Sequence, residues 1–195
     1  VLEAQDQALG VVTAIAGAKR ALISFSGHSG HAGTTPMPLR HDALAAAAEL
    51  TVNIEQLAKQ CKHGEVATVG QLQVSPGATN VIAGYTEMSL DVRAQTDDAL
   101  ITLVEAIKTR AECIAEQRHL RLNWQWTHQA PAVQCDQKTI ELFQQACAIA
   151  DEQSPLLPSG AGHDAMAIAP ICPVGMLFIR SPGGISHHPD ESVTA

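Results

Sequence analysis

Aromatic side chains are scarce in this chain: two Trp, one Tyr and three Phe, 3% of 195 residues. The hydrophobic share still reaches 46%, supplied mainly by Ala, Leu, Ile and Val. Such a supply builds helices packed on sheets rather than an aromatic-rich β-sandwich. Basic charge is thin as well, with 12 Lys and Arg against 20 Asp and Glu, a net charge of −8 and a pI near 5.5. No Lys/Arg cluster or interleaved aromatic stretch interrupts the acidic background. That excludes the electrostatic footprint of a binder of nucleic acid or anionic membranes. Paired cysteines are missing too. Cys61, Cys113, Cys135, Cys147 and Cys172 are odd in number, scattered and without a CxxC pair. This is the pattern of reduced cytosolic thiols, not of a disulfide framework or zinc knuckle. No apolar run approaches the roughly 18–20 residues of a membrane span. The first residues lack a signal-peptide layout, and no GxxxxGK[ST] phosphate loop occurs. A cytoplasmic location is expected. The chain also opens without Met and stops abruptly after HHPDESVTA, so it is expected to be part of a longer protein.

A chain of this length makes one or two domains of roughly 100–150 residues. LGVVTAIAG (9–17) reads as a buried strand ended by Gly, and the next strand puts Ala21, Ile23 and Phe25 on one side. Pro38 to Gly64 reads as a long Ala-rich helix with Lys59, Lys62 and His63 before a glycine stop. EVATVGQLQVSP alternates as a strand, broken by Pro76-Gly77. NVIAGYTEMSLDVRA follows as another, with Tyr85, Glu87, Ser89, Asp91 and Arg93 on one face and Met88, Leu90 and Val92 on the other. Asp97-Asp98 is expected to cap a helix reaching about Gln117, and LRLNWQWTH (120–128) closes the series as a strand.

That order, strand-helix-strand-strand-helix-strand, is the split βαβ, ferredoxin-like plan: a four-stranded antiparallel sheet with two helices on one face. Beyond Pro131 the texture changes. KTIELFQQACAIADE is an amphipathic helix with Ile140, Leu142, Phe143, Ala146 and Ile149 as its stripe. SPLLPSGAGHDAMAIAP reads as a glycine-containing loop entering a short helix, and VGMLFIR as a parallel strand buried on both faces. The predicted organisation is an α/β domain, residues 1–17 and 130–195, interrupted by a ferredoxin-like unit, 18–129.

Four clusters carry chemistry-bearing residues: His28/His31 with Gly33-Thr34-Thr35-Pro36, Asn80 with Arg93, SGAGHD (159–164), and GGISHHPDE (183–191). Each has a plain structural explanation. A loop histidine is commonly a surface residue, the glycines turn the chain, Asp164 caps a helix, and Arg93 pairs with Asp91 or Asp97. Together they are harder to dismiss, because glycines beside His-Asp let backbone approach a ligand. Arg and Asn add a carboxylate-matching fork and an amide edge. HxxH at 28–31 lacks the helical setting and the glutamate of a zinc HExxH.

Four strings in order, HAGTTPM with RHDAL, GATNVIAG with SLDVR, SGAGHDAM, and GISHHPDE, resemble the amidase/hydantoinase/carbamoylase branch of the aminoacylase-like dinuclear metallohydrolases. That branch includes allantoate amidohydrolases and N-carbamoyl-L-amino-acid hydrolases. The resemblance implies that the ferredoxin-like unit is a lid that also makes a homodimer. It also implies cleavage of a ureido or carbamoyl C–N bond, releasing ammonia and CO2, with two divalent ions, Zn or Mn, in the full-length enzyme.

By position in the strings, His31 matches a lid histidine that stabilises the oxyanion, sometimes in the neighbouring subunit's site. Asn80 and Arg93 match substrate-binding lid residues, with Arg93 clamping a carboxylate. Gly162 and His163 match a substrate-contacting segment, and His187 the last metal-ligating histidine. His188 stands where the family commonly has Asn, Gly30 where it has Asn or Asp, and Ala83 where it has Pro. The other metal ligands and the glutamate base precede the point where this chain begins, so the piece alone is expected to be inactive. The rival expectations are a non-catalytic dimerisation or ligand-binding piece, and a peptidase or deacylase of the same superfamily.

Overall fold

The structure is a computed structural model that describes residues 1–186 and 188–193. The chain divides into two units, Gly17–Pro131 and Val1–Ala16 with Ala132–Ala195.

In the first unit, β2 (Gly17–Ser26) is paired along its whole length with β7 (Tyr85–Ala94) and, on its other side, with β8 (Arg121–Ala130). Beyond β7 lie β4 (Val66–Thr68) and β5 (Leu72–Ser75), which take successive stretches of the same edge. The interruption at Val69–Gln71 splits what alternation alone predicts as one strand. Spatially the order is fourth, first, third and second strand, all antiparallel, the ferredoxin-like arrangement.

Burial follows the alternation in β7: Thr86, Met88, Leu90, Val92 and Ala94 are buried, and the intervening residues are not. Helix α1 (Ala43–Gln60) lays Ala43, Ala46, Ala47, Leu50 and Ile54 on this face, and α2 (Asp97–Gln117) adds Leu100, Leu103, Val104, Ile107 and Ile114. With Ala21, Ile23 and Phe25 these form one core. Small alanines on α1 let it approach closely, which is how a core poor in aromatics is filled.

Helix ends depart from the sequence expectation in instructive ways. α1 begins at Ala43, because the Asp42 carboxylate accepts from the Leu44 and Ala45 amides at 2.9 and 3.2 Å. It ends at Gln60, and Gly64 adopts a φ of 80° in the turn beyond. α2 is capped by Thr96, whose hydroxyl accepts from Ala99 N–H at 3.3 Å. Asp97 and Asp98 occupy the first turn instead, where their charge complements the helix dipole. β8 is an edge strand with a bulge opposite Arg20/Ala21, so Trp126 lies 37% exposed and the apolar alternation lapses.

In the second unit, β1 (Leu9–Ile15) is central. It pairs in parallel with β10 (Leu156–Ser159) and antiparallel with β9 (Val133–Gln134) and β11 (Met176–Ile179). The expectation of a parallel, doubly buried strand at VGMLFIR is therefore corrected. β11 is an antiparallel edge strand with Ile179 60% exposed, and the parallel neighbour is the strand hidden in SPLLPS. Helix α3 (Gln137–Ile149) buries Ile140 and Cys147 with Phe143 half-buried. Leu142 and Ile149, expected in its stripe, lie on the outer side at 63% and 89% exposure. Among the described residues no helix is long and apolar enough to cross a membrane.

Leu50 is fully buried where α1 meets the sheet. Leu50→Ala is expected to cost about 2–5 kcal/mol of stability. Urea unfolding followed by tryptophan fluorescence measures it, since Trp124 and Trp126 both lie on β8.

Candidate functional site

The pairing of β2 with β7 does not stop at Ser26–Tyr85. Gly27 N–H donates to the Gly84 carbonyl at 2.8 Å, and three residues further on β3 (Gly30–His31) pairs with β6 (Val81–Ile82). Gly27 is required in this passage, because a Cβ there would lie 2.1 Å from the His41 carbonyl oxygen. His31 stands opposite Val81, and Ala32 N–H donates to the Asn80 carbonyl at 2.9 Å. Two predicted site residues, His31 and Asn80, are thereby brought together, both exposed, at the far end of the sheet. His28 turns elsewhere, its ring 5.8 Å from that of His41, so the two histidines of HxxH do not act as a pair.

The turn after His31 determines its chemistry. The Thr34 and Thr35 amides fold back onto the His31 carbonyl, and Arg40 donates to the carbonyls of Ala32 and Thr35 at 2.6 and 3.1 Å. This leaves the Gly33 amide 3.0 Å from His31 Nδ1. A nitrogen that accepts carries no proton, so neutral His31 holds its proton on Nε2. The side chain is exposed and presents an N–H donor. Gly33 permits the approach, since a Cβ would sit 3.3 Å from His31 Cε1.

Arg93 lies at the other end of β7, opposite Ala18 of β2 and Val66 of β4. Its Nε donates to Asp91 Oδ1 at 2.9 Å and its Nη2 to Oδ2 at 3.1 Å. Arg20 Nε adds a third bond to Oδ2 at 2.7 Å. The Arg93 guanidinium, bound to both oxygens, holds the Asp91 carboxyl below its usual range against the opposing effect of partial burial, and Arg20 strengthens the shift. Asp91 in turn holds the Arg93 proton more firmly. Two guanidiniums share the Asp91 carboxylate, and a guanidinium fork is the group that matches a carboxylate. From Tyr85 to Arg93 the strand advances about 27 Å, at roughly 3.4 Å per residue. Arg93 therefore does not meet His31 and Asn80 within one chain.

In the other unit, SGAGHD follows β10. Ser159 Oγ is 2.7 Å from His163 Nε2, the Met166 amide donates to the His163 carbonyl, and the His163 ring lies 6.2 Å from Phe178. Gly162 sits in the same turn, with Met166 Sδ the nearest atom to the place of a Cβ, at 3.6 Å. Asp164 occupies the N-cap of the four-residue α4 (Ala165–Ile168), but its side chain makes no cap bond. His187 lies outside the described residues; His188 Nδ1 accepts from the Asp190 amide at 3.2 Å. Among the described residues no three His, Cys, Asp or Glu side chains come together as a metal centre. Ser159 and Gly33 lie in the clusters that the sequence singles out but had no role of their own there, and Arg20 was not among the expected site residues. Its meaning comes only from the Asp91 carboxylate it shares with Arg93.

A model of the peptidase dimerisation domain matches residues 13–119, and the chain belongs to that M20 dimerisation-domain family. It is 41% identical over 191 residues to an N-carbamoyl-L-amino acid amidohydrolase of Geobacillus stearothermophilus, covering 98% of this chain and 46% of that protein. It is 38% identical over 221 residues to a probable allantoate deiminase of Oryza sativa subsp. japonica, covering 99% and 45%. The structure superposes with a TM-score of 0.94, at 32% identity, on an amidase of the hydantoinase/carbamoylase family from Burkholderia multivorans, over 100% of this chain and 47% of that one. The chain thus spans about half the length of the curated relatives it matches.

The Asp91 cluster makes stability depend on acid pH with a definite sign. A carboxyl whose folded pKa is depressed contributes stability that is present above its unfolded value, near 3.9, and lost as pH falls through the folded one. Asp91→Asn is expected to lower stability at pH 7 by about 1 kcal/mol, given the partial exposure of the pairs. The gap from wild type should close below about pH 4. Urea midpoints across pH 2–7 measure it.

Proposed function

We propose that this chain is part of a metal-dependent hydrolase that cleaves the ureido C–N bond of allantoate or a related N-carbamoyl amino acid, releasing ammonia and CO2. The similarity to an N-carbamoyl-L-amino acid amidohydrolase and a probable allantoate deiminase supports the substrate class. The observation that carries the chemistry is the Gly33 amide on His31 Nδ1. It makes His31 a neutral Nε2–H donor, which suits it to a carbonyl oxygen that gains negative charge as water adds. Asn80, one ladder position away, offers an amide edge to the ureido group, and Arg93 supplies the charge for a substrate carboxylate. In the whole enzyme two divalent ions, Zn or Mn, supply an activated water. His187 is this chain's ligand to them, and the general base lies elsewhere in the protein.

The length of β7 adds a condition. A ureido acid is far shorter than the separation between Arg93 and His31, so one substrate engages both only if they come from different chains. The enzyme is therefore a homodimer through the ferredoxin-like unit, in which His31 of the partner subunit completes the site that holds Arg93. The match to a peptidase dimerisation domain supports this arrangement.

Steady-state kinetics of the whole enzyme with Mn2+, on allantoate, ureidoglycolate and N-carbamoyl-L-amino acids, test these roles. Arg93→Ala is expected to raise KM about 10- to 100-fold with kcat little changed, the worth of a charged hydrogen-bonded contact. His31→Ala is expected to lower kcat about 100- to 1,000-fold, as loss of an oxyanion donor does. An unchanged kcat in His31→Ala removes the oxyanion role.

A further inference from the structure

Ser159 closes β10 and is 2% exposed. Its hydroxyl has three neighbours: the Ala161 amide at 3.3 Å, the Ala161 carbonyl at 3.2 Å and His163 Nε2 at 2.7 Å. A hydroxyl has one proton to give, so one of two acceptors receives it. Hydroxyl donors make bonds of about 2.5–3.0 Å, most often near 2.7–2.8 Å, and N–H donors bonds of about 2.7–3.2 Å, most often near 2.9–3.0 Å. The Ala161 carbonyl lies beyond the hydroxyl range, the His163 contact lies at its centre, and an imidazole nitrogen is the more basic acceptor. The Ala161 amide donates to Ser159 Oγ and occupies one of its two lone pairs; of the two acceptors within reach of the hydroxyl proton, the ring nitrogen is the nearer.

We infer that Ser159 is a positioning residue that locks His163 in the neutral tautomer protonated at Nδ1, making that nitrogen a fixed hydrogen-bond donor to an oxygen of the ureido substrate. The substrate half of this statement rests on the reading of His163 as a substrate contact; the tautomer half does not. Phe178 flanks the ring at 6.2 Å and the Met166 amide holds the His163 carbonyl at 2.9 Å, so ring and backbone are restrained together. The arrangement is the mirror of His31, where a backbone amide on Nδ1 leaves the proton on Nε2. A donor at His163 is matched to carboxylate or carbonyl oxygen and mismatched to a ligand that offers only N–H at that point.

Nitrogen-15 NMR of the histidine-labelled whole enzyme without substrate reads the tautomer, with His163→Gln assigning the signal. Wild type is expected to show His163 protonated at Nδ1, and Ser159→Ala to shift it toward the Nε2–H form. A resonance at the Nε2–H position in wild type, or one unmoved by Ser159→Ala, overturns the assignment. In kinetics Ser159→Ala should raise KM about three- to tenfold, the worth of one neutral hydrogen bond, with kcat nearly unchanged. Ser159→Thr, which keeps the hydroxyl, should restore it. If the tautomer shifts as expected but neither Ser159→Ala nor His163→Ala moves KM, the substrate contact at His163 is what fails.

Discussion

Ten consecutive residue pairs join β2 to β7, from Gly17–Ala94 at one end to Ser26–Tyr85 at the other. This antiparallel ladder is the constraint on which the placement of the site residues depends. It puts Arg93 beside the start of the unit, carries the pairing on through Gly27 and Gly84, and delivers His31 and Asn80 at the opposite end. A ladder paired on both strands and backed by two helices is stiff, since its buried side chains pack at crystal-like density. The separation between the two groups is therefore a property of the fold and not of a flexible loop. Any chemistry that uses both groups inherits that length, and a second chain is the simplest way to meet it.

Charge and protons are arranged with similar economy. His31 and His163 each have one ring nitrogen engaged by a single partner, a backbone amide in one case and a buried hydroxyl in the other. Neither histidine needs a net charge to donate. Positive charge is placed instead on Arg20 and Arg93, both of which bond the Asp91 carboxylate. Neutral donors suit developing or partial negative charge on oxygen, and a guanidinium fork suits a full carboxylate. A ureido acid carries both kinds of group.

The ferredoxin-like unit was legible in the sequence because its strands have one wet face. The alternation of Met88, Leu90 and Val92 with Ser89, Asp91 and Arg93 maps directly onto burial. The second unit was less legible for the converse reason. β10 and β11 are four-residue strands whose apolar runs carry no direction, so composition alone misassigned β11 as parallel. Helix boundaries slipped where a side chain decided them, as Asp42 and Thr96 did through bonds that no hydrophobic period records. For the candidate site residues, the sequence shows the residue types and not their hydrogen-bonded states. His31 stood out as a histidine between glycines, but its protonation depends on where one backbone amide points. Arg93 stood out as a cation on a strand, but Arg20 and Ser159 gain meaning only from neighbours 71 and 4 residues away.

The most direct test of the composite site is subunit complementation in the whole enzyme. His31→Ala and Arg93→Ala chains, assayed at substrate below the wild-type KM so that each is impaired alone, are mixed so that subunits re-pair. A mixed dimer then holds one site with both defects and one with neither. Activity should recover to about a quarter of wild type, since half of randomly paired two-fold dimers are mixed and half of their sites are intact. Activity that stays at the mean of the two single variants, with mixed dimers verified, would contradict a site built from both chains.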